Sequence, residues 1–121
     1  MIFNTHSHIN DKLDNLDELV DECLEKGVNK IAVVGYDYNS SVRAIQAAKK
    51  RKEVYAICGL QPTSFDGFDG DFNKFEELFL DENCICIGEI GLDYYYGKEA
   101  HLHRQNQECL CSGKRQLPAE V

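Results

Sequence analysis

Met1-Ile2-Phe3-Asn4-Thr5-His6-Ser7-His8 opens the chain. The apolar stub Ile2–Asn4 reads as a short strand that runs directly into His-x-His. Side chains alternate along extended chain with period two, so both imidazoles point to one side. Two neutral imidazoles on one face are a good start for a divalent-metal site. Taken alone, the pair fits two unrelated polar residues near a frayed terminus better than a metal site. The remainder of the chain decides between these readings.

Beyond His8, strand and helix alternate. Leu16, Leu19, Val20, Cys23 and Leu24 recur at helical spacing. Asp14 or Asn15 suits the start of that helix, and Gly27 its C-terminal cap. Lys30–Val34 reads as a buried strand. Asn39 or Ser40 opens a second helix carrying Val42, Ile45 and Ala48. It ends in Lys49-Lys50-Arg51-Lys52, a solvated last turn whose cations suit the helix dipole. Val54–Cys58 is a third strand. Gln61-Pro62 and the Gly/Asp-rich Asp66–Asp71 read as loop. Phe72, Phe75, Leu78 and Phe79 mark a third helix, and Ile85–Ile87 a fourth strand. A polar helix is expected from about Glu99 to Lys114, and Leu117–Val121 begins a fifth strand.

Repeated strand–helix units imply a parallel sheet with right-handed crossovers. Both a doubly wound sheet and part of a (β/α)8 barrel satisfy this pattern. A whole barrel needs roughly 200 residues or more, and this sequence has 121. The net charge of −8 argues against a protein that coats nucleic acid through a broad basic surface. It leaves room for an enzyme that grips phosphates locally through metals. No apolar run approaches the ~18 residues of a membrane span, and no secretory signal is visible. The six cysteines read as buried free thiols of a reducing cytosol. Soft metal ligation by Cys84-x-Cys86 or Cys109-x-Cys111 is the alternative, although neither has Cys-x-x-Cys spacing. The expected location is the cytoplasm, with the nucleus as alternative.

Parallel α/β folds collect their active sites at the C-terminal ends of strands. His6 and His8 end the first strand. Glu89 ends the fourth, inside Gly88-Glu89-Ile90-Gly91-Leu92-Asp93. Two histidines and a carboxylate suit Zn²⁺ or Mn²⁺, or Mg²⁺ with more oxygen ligands. A carboxylate can also bridge two metals about 3.5–4 Å apart, an arrangement that clamps phosphate esters. The plainer reading of Glu89 is a loop acid that accepts from nearby backbone N–H groups.

These residues carry a resemblance. Phe3-Asn4-Thr5-His6-Ser7-His8, Gly27-Val28 with Lys30–Val34, Val54–Pro62 and Ile87–Tyr95 resemble, in order and spacing, the N-terminal half of a TatD-family metal-dependent hydrolase. The likeness holds from residue 1 to about 98 and thins over 99–121, so residues 1–121 are expected to be one partial barrel domain. The resemblance implies an α/β fold, a (β/α)8 barrel of the metal-dependent hydrolase type cut to about half. It implies one or two divalent ions (Mg, Mn or Zn) and deoxyribonuclease activity, with DNA as substrate. Carried over, His6 and His8 are metal ligands, Glu89 is both ligand and catalytic carboxylate, and Gln61, Asp93 and Tyr94 contact substrate.

The sequence also departs from the family pattern. Asn4 stands where the family has Asp, and Gln61 where it has a common His. Gln61 can donate to a phosphate but cannot act as a base. The next ligand histidine is expected one position beyond Val121, with further ligands later. His101 and His103 read as surface residues rather than substitutes. With three protein ligands, weak metal binding and low turnover are expected. Two other functions fit the same residues. One is a non-catalytic half-barrel that self-associates through exposed strand edges. The other is a metal-dependent hydrolase of a small amide or ester.

Overall fold

In the computed structural model the described residues are 1–91 and 93–95. The expected helix at 99–114 and strand at 117–121 lie outside them. Strand and helix alternate as β1 (Ile2–Ser7), α1 (Leu16–Glu25), β2 (Val28–Val34), α2 (Tyr38–Lys50), β3 (Val54–Cys58), α3 (Asn73–Phe79) and β4 (Cys84–Ile87). The four strands form one parallel sheet in the order β1-β2-β3-β4. A doubly wound sheet reverses its strand order at a switch point. Here every crossover steps the same way, as it does round a (β/α) barrel.

The helices share one face of the sheet. Leu16 and Val20 of α1, Ala44, Ile45, Ala47 and Ala48 of α2, and Ile31, Val33, Val54, Ala56 and Cys58 of the strands are buried together. Leu78 and Phe79 of α3 pack against that cluster. The opposite face carries Phe3 beside the Tyr55 ring at 5.8 Å, with the Lys30 ammonium over the same ring. Closer to α3, Phe75 is 1% exposed and meets the rings of Tyr38, Phe68, Phe72 and Phe79.

Several boundaries differ from the sequence reading. β1 runs on through Asn4, Thr5 and His6 to Ser7, because pairing with β2 supplies the backbone partners that its polar side chains do not advertise. α2 begins at Tyr38 rather than at Asn39 or Ser40. Asp37 is its cap, accepting from the Ser40 N–H at 2.7 Å, while the Ser40 hydroxyl accepts from the Asp37 N–H at 2.9 Å. This is a capping box with serine in the place usually held by Glu or Gln. The expected loop after Gln61 contains a 3-10 segment, Pro62–Gly67. α1 starts after Asn15, as expected, but without a side-chain cap, and Gly27 ends it with φ +85°.

The cysteine reading needs correction. Cys58 is buried, Cys23 and Cys84 are half-buried, and Cys86 is exposed. β4 is an outer strand of the described sheet, so the helix-side cover that buries β2 and β3 is incomplete over it. Two residues of the basic run, Lys49 and Arg51, have structural partners. Lys49 pairs with Asp81 at 2.9 Å, and Arg51 with Asp17, Asp21 and Glu53 at 3.1, 2.7 and 3.2 Å.

Candidate metal centre

β1 delivers His6 and, one residue past its end, His8. Glu89 follows β4 by two residues. The sheet brings these three together across the ends of β2 and β3. His6 Nε2 lies 3.2 Å from His8 Nε2 and 3.2 Å from Glu89 Oε1, and His8 Nε2 lies 3.9 Å from Glu89 Oε1. Three donor atoms each ~2.0–2.2 Å from one ion stand about 3–4 Å apart, so the separations fit a common divalent cation. Among the described residues this is the group of three His, Cys, Asp or Glu side chains that converges in this way.

The supporting contacts favour a ligand role. His8 Nδ1 is 2.9 Å from the Val34 carbonyl. A carbonyl only accepts, so Nδ1 carries the proton and Nε2 keeps its lone pair for the centre. The Tyr36 ring meets the His8 ring edge-on at 5.7 Å. Tyr36 OH reaches Asp11 at 3.4 Å, and Arg43 holds Asp11 at 2.8 Å. Burial, with Asp11 next in weight, raises the Tyr36 phenol above its ordinary range, which keeps it neutral. His6 is anchored through its backbone N–H, which donates to Asn4 Oδ1 at 3.1 Å.

Glu89 is placed by backbone. The Gly88 N–H donates to the Cys58 carbonyl at 2.9 Å, and the Glu89 N–H donates to the Gly35 carbonyl at 3.4 Å. Gly59 lets the 88–89 segment approach, since a Cβ there would run into the Gly88 and Glu89 backbone. The Ser41 hydroxyl, buried in α2, accepts from the Gly59 N–H at 3.1 Å and lies 3.3 Å from the Gly59 carbonyl. Helix α2 therefore sets the turn against which the Glu89 backbone rests.

Beside the three donors is a cleft of about 580 Å³ lined by His6, Gln61, Pro62, Thr63, Glu89, Ile90, Gly91 and Asp93. It takes in two of the three expected substrate contacts, Gln61 and Asp93. The Gln61 amide donates to the Ser64 hydroxyl at 3.2 Å, and Asp93 Oδ1 accepts from the Tyr95 N–H at 2.9 Å. Tyr94 is 74% exposed and does not line the cleft. Two residues of the site's support escaped the sequence reading, Ser41 and Asn10. Ser41 left no signal beyond a polar residue among the apolar positions of α2. Asn10 stands two residues after the His-x-His pair, is fully buried, and donates to the Ser40 carbonyl at 2.9 Å.

The sequence profile of the TatD related DNase family matches residues 3–111. The chain belongs to the TatD-related DNase family. It is 34% identical over 101 residues to YabD of Bacillus subtilis (strain 168), a metal-dependent hydrolase of uncharacterised activity, covering 81% of this chain and 40% of that protein. It is 32% identical over 99 residues to a TATDN1 homologue of Encephalitozoon cuniculi (strain GB-M1), provisionally named a deoxyribonuclease, covering 78% of this chain and 35% of that one. The crystal structure of YJJV, a TatD homologue from Escherichia coli K12, superposes with a TM-score of 0.74 at 25% identity, over 94% of this chain and 47% of that chain. The TatD-family chain described here thus spans less than half the length of the relatives it matches. Its sheet corresponds to one part of their (β/α)8 barrel. Among the described residues, no helix is long and apolar enough to cross a membrane.

Proposed function

We propose that His6, His8 and Glu89 hold a divalent cation, and that the TatD-type protein to which this sheet belongs hydrolyses phosphodiester bonds of DNA. The observation that carries the reading is the meeting of two imidazole nitrogens and one carboxylate oxygen within 3.2–3.9 Å of one another. When bound there, Mg²⁺, Mn²⁺ or Zn²⁺ would polarise a phosphoryl oxygen and acidify a water.

The chain's own side chains supply the rest. His8 presents one lone pair and keeps its orientation through Val34. Glu89 is the catalytic carboxylate: its second oxygen can orient the attacking water or join a neighbouring ion. Gln61, on the cleft wall, can turn its amide from Ser64 to a phosphate oxygen. Asp93 lines the far side, where it supports the loop rather than the reacting atoms, and exposed Tyr94 is available to a base outside the cleft.

The test is cleavage of labelled DNA by the 121-residue chain with each of the three metals, beside a His6→Ala/Glu89→Gln control. Weak, metal-dependent cleavage that disappears in the control supports the assignment. Turnover that survives Glu89→Gln overturns the role given to Glu89. A well-folded chain that cleaves nothing overturns the nuclease reading for this chain and leaves the family likeness as a statement of ancestry.

A further inference from the structure

Asn10 is fully buried at the start of the 3-10 segment after His8. Its amide nitrogen lies 2.9 Å from the Ser40 carbonyl and 3.5 Å from the Val34 carbonyl. The Val34 carbonyl is the one that accepts from His8 Nδ1 at 2.9 Å. Both neighbours of the amide are acceptors, so the NH₂ side must face them. Asn10 Oδ1 is buried with no hydrogen-bond partner among the described residues. An amide that leaves its own acceptor unmatched is a poor way to fill space, because an apolar side chain would fill it without that loss. An apolar side chain could not offer two donors to two carbonyls.

We infer that Asn10 is a positioning residue for the metal centre, acting on His8 through the shared Val34 carbonyl. It ties that carbonyl to the first turn of α2, where the Ser40 hydroxyl also accepts from the Tyr36 and Asp37 N–H groups at 2.8 and 2.9 Å. The His8 ring is thus referred to a helix rather than to a free strand end. Without Asn10, the Val34 carbonyl can tilt, Nδ1 moves with it, and Nε2 leaves the direction shared with His6 and Glu89. Partners of this kind commonly change metal affinity tenfold or more without touching the ion. The inference rests on the metal-centre reading above, and its test separates the two.

The test is a double-mutant cycle on Co²⁺ affinity, read by titration calorimetry and the cobalt absorption bands, for wild type, Asn10→Ala, His8→Ala and the double variant. The expected result is about tenfold weaker binding for Asn10→Ala, and no further loss when Asn10→Ala is added to His8→Ala. Equal loss in both backgrounds means a merely structural role and overturns the inference. So does unchanged affinity in Asn10→Ala. Wild-type binding indifferent to His8→Ala removes the metal-centre reading itself, and the inference with it. Far-UV circular dichroism checks that each variant folds. If Asn10→Ala does not, Asn10→Ser takes its place in the cycle: it is small, keeps one donor for Ser40 and loses the reach to Val34.

Discussion

Gly59 is the smallest group on which the Glu89 loop depends. A Cβ there meets backbone, not a side chain that could swing aside. Gly59→Ala should therefore displace the 88–89 segment and weaken Co²⁺ binding at least tenfold, while Gly67→Ala, at an open position, leaves it unchanged; calorimetric titration of both variants is the check. Cysteine chemistry can be tested at the same scale. The Cys58 side chain beside the Cys84 sulfur lowers Cys84 to about 7, while Cys84 and burial push Cys58 up. Alkylation with peptide mapping should show Cys84 reacting with a midpoint near pH 7 and Cys58 unreactive until the chain unfolds. A Cys84 midpoint above 8 would contradict the thiol pair. His6, His8 and Glu89 were legible in the sequence because each sits where a strand ends, and strand ends are marked by local pattern. Asn10 and Ser41 were not, because the value of a buried polar group depends on which carbonyl or N–H the fold sets opposite it.

The elements themselves were readable in kind and order, since apolar spacing reports which face each one buries. Their ends were less readable. β1 is longer than its apolar residues because hydrogen bonds to β2 hold Asn4–Ser7 extended, and such bonds are indifferent to side-chain polarity. The start of α2 was hidden in Asp37-Tyr38-Asn39-Ser40, where a serine completes the capping box. Asp37→Ala should cost about 1 kcal/mol, measured as a lower urea midpoint with an unchanged slope. Because the Ser40 hydroxyl is held within that box, the same substitution should also loosen the Tyr36 backbone that flanks His8. α3 is short, and its anchor is aromatic. Phe75 lies among four rings, and Phe75→Ala should lose about 3–5 kcal/mol, enough to melt much of a small domain.

At the scale of the molecule, ion pairs join helices that the sheet alone would leave independent. Asp81, in the turn between α3 and β4, accepts from the Asn83 N–H and pairs with Lys49 of α2. These contacts, the backbone hydrogen bond first, hold its carboxyl at about 2. A carboxyl lowered on folding stabilises the native state above its unfolded pKa of ~3.9 and loses that contribution as pH falls toward 2. Thermal melts of wild type and Asp81→Asn should therefore differ at pH 6 and converge near pH 2. Arg51 plays the matching part at the other side of α2, gathering Asp17, Asp21 and Glu53. From strand–helix alternation alone the sheet was legible only as two options, and the family resemblance pointed to the barrel that the consecutive strand order bears out. Periodicity reports which face an element buries but not which strand it pairs with, so alternation could not settle the order by itself.

The donors come from β1 and from the segment after β4, the two outer strands of the described sheet, and His6 and Glu89 stand 83 positions apart. On a ribosome adding about 5–20 residues per second, the two histidines emerge roughly 4–16 s before the carboxylate. Until then they are an exposed pair of imidazoles able to take up a borderline divalent ion only weakly. The third ligand arrives only when β2 and β3 have been laid down and have curled the sheet enough to bring its rims together. If the proposed centre holds an ion, its tight capture would mark the moment at which assembly of this sheet is finished, and a nascent chain stalled before Glu89 should hold a divalent ion no better than an isolated His-x-His peptide.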